Sequence, residues 1–184
     1  MTEEDIQALR EQTQDIANEE ASTSSEEDLH VQLRTPVFAA GQVKRARVFK
    51  VSTDTDGQSE SGLVVLVVYE VLEELTDVNG REYAPGQYVT SRLTINSTHP
   101  SSAEVIQSIG RQDLCRFAMA TGAIPYSDTG NWTEALSAVA DAIDKEVMLA
   151  FGTREDKKKK NDKGEPILYQ TLSPRTIDNN NNNN

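Results

Sequence analysis

Leu63 to Leu72 reads LVVLVVYEVL. The run is almost wholly apolar and rich in β-branched residues, which is how a long central strand reads. Everything around it carries strand or turn signals. Upstream, Gln42 to Ser52 is a second strand, with Val43, Arg45, Arg47, Phe49 and Val51 on one parity and Lys44, Ala46, Val48 and Lys50 on the other. Neither parity is cleanly apolar, so periodicity does not say which side is buried. Thr53 to Gly62 between the two is an Asp/Gly/Ser loop. Downstream, Asp77-Val78-Asn79-Gly80 carries the Asn-Gly signal of a tight turn, and Tyr83 with Pro85-Gly86 extends the connection. Gln87 to Ile95 then alternates: Val89, Ser91, Leu93 and Ile95 form the core-facing set, while Tyr88, Thr90, Arg92 and Thr94 face away.

Helical spacing follows. Pro100-Ser101-Ser102 opens a helix, Ser101 and Glu104 stand at capping-box spacing, and Val105, Ile106, Ile109, Leu114, Phe117 and Ala118 form its apolar face up to Thr121-Gly122. Asn131 and Glu134 repeat the capping spacing for a second helix through about Ile143, with Trp132, Leu136, Val139 and Ile143 as its apolar face. Lys145 to Thr153 and Ile167 to Leu172 read as two last strands, and the lysine-rich segment between them as their hairpin loop. The chain is therefore expected to be mainly β with helices. The order β-β-β-α-β-β is that of the five-stranded OB-fold-like barrel, whose surface and loops often grip single-stranded nucleic acid.

Charge divides the chain. Of the net −12, residues 1–35 contribute −8, from ten acids and two bases, and residues 36–184 contribute −4. Residues 1–35 read as a flexible acidic tail or a short helix around Ile6, Leu9 and Ile16; residues 36–175 as the OB-fold-like domain; residues 176–184 as a disordered polyasparagine tail. A single cysteine, Cys115, excludes an internal disulfide and fits a reducing cytoplasm. No apolar run approaches membrane-helix length, and the acidic N-terminus is no signal peptide, so a cytoplasmic protein without membrane association is expected.

Catalysis finds no footing. His30 and His99 are far apart, no zinc-ligand spacing or phosphate loop is present, and Cys115 falls among apolar helix positions. Asp54/Asp56 and Glu73/Glu74 read as solvated loop charge, so neither cofactor nor metal is expected. Single-strand binding needs cations along the phosphates and aromatic faces under the bases. The cations are Lys44, Arg45, Arg47 and Lys50 on the first strand, Arg92 on the third, Arg154 before the last loop, and Lys157, Lys158, Lys159, Lys160 and Lys163 within it. The aromatic candidates are Tyr69, Tyr83, Tyr88 and Tyr169, of which Tyr88 shares a strand face with Arg92. Against this, the loop Thr53 to Ser61 holds Asp54, Asp56 and Glu60 and no base, and would repel phosphate.

With these residues in view, positions 36–175 resemble a group of bacteriophage-encoded proteins of replication and recombination modules, single-stranded DNA-binding proteins with an OB-fold. The resemblance is carried by Ala40-Gly41-Gln42-Val43, Glu70-Val71-Leu72-Glu73, Asn79-Gly80-Arg81, Thr94-Ile95-Asn96 before a helix, and the Lys-rich hairpin closing on Leu168-Tyr169. It implies sequence-tolerant coating of single-stranded DNA, with Arg45, Arg47, Tyr88, Arg92, Arg154 and Lys157 to Lys160 as contacts. Replication or recombination proteins and further copies of the chain are compatible partners. Many such binders end in an acidic tail, whereas this chain carries its acids at the N-terminus, so residues 1–35 would play that part. The alternative reading is a non-enzymatic protein-interaction or scaffold module that uses the acidic N-terminus or the helical surface.

Overall fold

The apolar run becomes β2 (Leu63–Val71), hydrogen-bonded on both sides by antiparallel partners: β1 (Val43–Asp54) and β5 (Gln87–Asn96). A computed structural model describes residues 36–57, 59 and 61–177. The expectations for residues 1–35, for Glu60 and for the polyasparagine end lie outside the described residues. All the elements below belong to one unit beginning at Val37. β6 (Glu146–Lys160) and β7 (Pro166–Arg175) complete an antiparallel sheet in the order β5-β2-β1-β6-β7. A separate hairpin, β3 (Leu75–Thr76) and β4 (Glu82–Tyr83), turns at Asn79-Gly80, where Gly80 takes φ +83°. The fold is thus mainly β, with α1 (Ala103–Ala120), α2 (Trp132–Ala138) and a 3-10 turn at Val139–Ala142.

The ambiguous parity of β1 has a structural cause. Ala46 and Val48 are fully buried, then the register against β2 shifts between Val48 and Lys50. This bulge places one extra residue, Phe49, and turns it outward. Beyond it Val51 packs against the core from the opposite parity. β5 and β6 alternate as expected, burying Val89, Leu93 and Ile95, and Val147, Leu149 and Phe151.

The core closes at the chain entry. The Phe38 ring meets Tyr83 at 5.4 Å and Phe151 at 5.9 Å, both edge-on. Two glutamines satisfy the buried backbone there. Gln170 Oε1 accepts from Phe38 N at 2.7 Å, and the Gln42 amide bonds both Thr76 N and Thr76 O. Asp77 holds the β3–β4 turn by accepting from Arg81 N and Asn79 N, which with Tyr83 keeps its carboxyl below the usual range against the opposing effect of burial.

α1 seats on β5 through Gly110. A Cβ at that position would lie 1.9 Å from Thr94 O, so only glycine allows the approach. Leu114, Phe117 and Ala118 follow on the same face, and Phe117 meets Tyr69 edge-on at 6.2 Å. At 3.6 residues per turn, Val105 and Ile109 stand about 140° and about 100° round the helix from Gly110. They are 64% and 56% exposed, not core as their spacing suggested. The Ser101–Glu104 capping box does not form either. Ser102 is the N-cap and makes no side-chain bond. The entry is instead held by Asp56, whose Oδ2 accepts from Thr98 N and Thr98 Oγ1 at 2.6 Å each. At α2 the Asn131 cap is formed, with Oδ1 accepting from Thr133 N at 3.1 Å. The α-helix stops at Ala138, and Ile143 is exposed rather than part of an apolar face.

Two further expectations are corrected. The sheet is not closed into a barrel: the edges β5 and β7 do not pair. Phe117 of α1 stands between them, beside a cavity of about 30 Å³ that Leu93 and Leu172 also line. The edges are also poorly equipped to bond. Arg111 Nε donates to Ile95 O of β5 at 2.9 Å, and Pro174 of β7 has no N–H. Lys157 to Lys160, expected in the hairpin loop, are the last residues of β6, so the loop shrinks to residues 161–165.

Candidate nucleic-acid interface

Alternation along the strands puts part of the expected site on the face of the sheet turned away from the core. Registers align Glu146 of β6, Arg47 of β1, Glu70 of β2 and Tyr88 of β5 in one row across four strands. Two cations of this face are already engaged. Arg47 is ion-paired with Glu70, whose carboxylate pushes the guanidinium pKa up, and Arg47 Nε is buried without a partner among the described residues. Arg45 Nε donates to Glu146 Oε2 at 2.6 Å, and the Arg45 backbone N–H donates to Glu73. Arg92 is exposed, with one N–H on Thr55 O at 3.2 Å. Lys50, opposite Val68, is exposed.

Beside these cations lies an aromatic pair that sequence reading missed. Phe49, turned out by the bulge, stands 4.9 Å from Tyr88 at a ring angle of 60°. Phe49 is 49% and Tyr88 53% exposed. The broken alternation of β1 was the only signal, since it implied a bulge near residues 48–50.

The other expected contacts lie elsewhere. Lys44 shares parity with Ala46 and so stands on the opposite side of β1 from Arg45 and Arg47. Arg154 and Tyr169 are cross-strand partners on the β6–β7 hairpin, so they do stand together. β6 pairs with β1 only over Glu146–Ala150; farther out its strand partner among the described residues is β7 alone. Lys157 to Lys160 therefore sit on a two-stranded ribbon, and the β6–β7 register shifts between Asp156 and Lys160. Asp156 organises this bulge: its Oδ1 accepts from Lys158 N at 2.9 Å and Lys159 N at 3.2 Å. Those backbone bonds, with the charges of Lys159 and Arg154 beyond, hold its carboxyl below the usual range despite partial desolvation. At the turn Asn161 Oδ1 accepts from Lys163 N and Glu165 N at 3.0 and 2.9 Å. Lys157 to Lys160 and Lys163 are all exposed.

The acidic β1–β2 loop is at the other end of β1 from the ribbon, and Asp56 within it accepts from the backbone N–H and the hydroxyl of Thr98. The helical side carries a different surface, an open groove of about 610 Å³ between α1, α2 and the segment Tyr126–Gly130. Arg111 stacks on Trp132 there at 4.2 Å, and Cys115 lies in the wall with its thiol pushed up by burial. His99 Nδ1 accepts from Ser101 N at 3.3 Å, in a turn. Among the described residues no cluster of three His, Cys, Asp or Glu is placed to hold a metal, and no helix is long and apolar enough to cross a membrane.

No protein-family model matches the chain, and comparison with curated proteins gives no match.

Proposed function

We propose that this protein is a sequence-tolerant, non-enzymatic single-stranded DNA-binding protein of the phage replication or recombination type, working in the host cytoplasm beside replication or recombination proteins. The observation that carries the reading is the exposed Phe49–Tyr88 pair with Lys50 and Arg92 on the same sheet face. Aromatic faces beside cations are what unpaired bases and their phosphates require. The element order supports it: five principal antiparallel strands with a helix between the third and fourth follow the order expected of an OB fold, although the sheet is not closed. The net charge of −12 and the Arg45 and Arg47 ion pairs oppose long-range attraction, so the affinity is short-range, with a salt slope set by the cations left to meet phosphates, Lys50 and Arg92.

The test is fluorescence anisotropy with a ~30-nucleotide oligo(dT) at two salt concentrations, against a blunt duplex of the same length, using the wild type and Phe49→Ala/Tyr88→Ala. The single strand is expected to bind more tightly. The double variant should lose about 10- to 100-fold, as a base–aromatic stack contributes about 1–3 kcal/mol. Absence of binding at low salt, or an unaffected double variant, overturns the reading.

The groove beside Trp132 and the exposed Val105 and Ile109 favour a second reading, a protein-interaction module using the helical surface. It becomes the leading account if DNA binding is absent.

A further inference from the structure

The β6–β7 ribbon is longer than a hairpin that merely closes a sheet. Among the described residues, β6 from Thr153 to Lys160 pairs with β7 alone, and at ~3.3 Å per residue that length projects by roughly 20–25 Å, allowing for the bulge. Residues 153–165 carry six cations, Arg154, Lys157 to Lys160 and Lys163, against four acids, and no aromatic. The nearest ring, Tyr169, stands at the ribbon's base opposite Arg154. The acid nearest the run, Asp156, is turned onto the backbone of Lys158 and Lys159 and fixes the bulge, and Lys157 to Lys160 are all exposed.

A surface of this kind cannot stack bases, so it does not distinguish unpaired from paired nucleotides by their faces. It reads phosphates. A two-stranded β-ribbon is also an element that a duplex major groove, about 12 Å wide, admits. The Phe49–Tyr88 face is built the other way, with rings that need unpaired bases. The two surfaces are far apart. Arg47 and Tyr88 share the row of Glu146, and Lys157 is 11 residues farther along β6, roughly 35 Å away.

We infer that the ribbon tip is an anchor for a duplex backbone, so that the preferred ligand is a junction at which duplex DNA passes into a single strand: the ribbon on the duplex, the Phe49–Tyr88 face on the unpaired strand. This inference rests on the single-strand reading above. Two weak contacts on one ligand reinforce each other through effective concentration when the ligand spans both.

The experiment compares, by anisotropy with the full chain, a ~12-nucleotide oligo(dT), a blunt ~15-base-pair duplex, and that duplex with a ~12-nucleotide dT overhang. The proteins are wild type and Lys157→Ala/Lys158→Ala/Lys159→Ala/Lys160→Ala, whose folding is checked by thermal unfolding. The wild type should bind the junction at least about 10-fold more tightly than the oligo(dT). Its log K against log salt should be steeper for the junction by about 3.6, from four duplex phosphates at roughly 0.9 each. The quadruple variant should lose both, binding junction and oligo(dT) with equal affinity and equal slope. Equal wild-type affinity for junction and oligo(dT) overturns the inference and leaves the single-strand reading standing. No oligo(dT) binding at all overturns both.

Discussion

The outer sheet face and the ribbon tip both carry cations, yet they dispose of them differently. On the face, Arg45 and Arg47 are tied to Glu146 and Glu70, and what the face offers a ligand is mainly two exposed rings with Lys50 and Arg92 at their side. At the tip, the lysines are exposed and their neighbour Asp156 is bonded to the backbone, but no ring lies among them. Counted along the chain, these residues look like one basic surface. Folded, they are two surfaces of different chemistry, one suited to bases and one to phosphates.

The two regions also differ in how firmly they are held. The face is backed by a core into which α1 is locked at Gly110, whereas the ribbon has no core of its own. Gly110→Val should therefore cost about 3 kcal/mol or more, because the new side chain meets the Thr94 backbone. Removing the four ribbon lysines should change stability by no more than about 0.5 kcal/mol. Urea midpoints measure both. An unchanged midpoint for Gly110→Val would mean that α1 does not seat on β5 as described.

A smaller effect sharpens the contrast in charge. Glu70→Gln releases Arg47 while keeping a hydrogen-bonding side chain beside it. Single-strand affinity should rise about two- to fivefold and the salt slope by about 0.7, at a stability cost below about 1 kcal/mol. Anisotropy titrations at several salt concentrations would show it. Unchanged affinity would place Arg47 off the ligand's path.

The strands were legible because their signals are local. LVVLVVYEVL is β-branched and bounded by turn residues, as a strand is, and Gln87 to Ile95 alternates. What escaped depends on contacts between segments. The bulge at Phe49 follows from how β1 meets β2, and it decided which side of β1 carries an aromatic. The exposure of Val105 and Ile109 follows from the approach of Gly110 to Thr94, a close contact that helical spacing does not reveal. The lysine run read as a loop because lysines are poor strand formers, but pairing of β6 with β7 carries the ladder out to Lys160. The ion pairs of Arg45 and Arg47 join residues from three strands, so the count of basic residues overstated the positive charge of the face.

The most direct measurement is an amide ¹H–¹⁵N spectrum of the protein titrated with ~12-nucleotide oligo(dT). The account predicts that the resonances of Phe49, Lys50 and Tyr88 to Arg92 shift together while the indole N–H of Trp132, on the helical side, stays in place. Shifts confined to Trp132, Arg111 and Tyr126, with the sheet face silent, would contradict it and move the binding site to the groove between the helices.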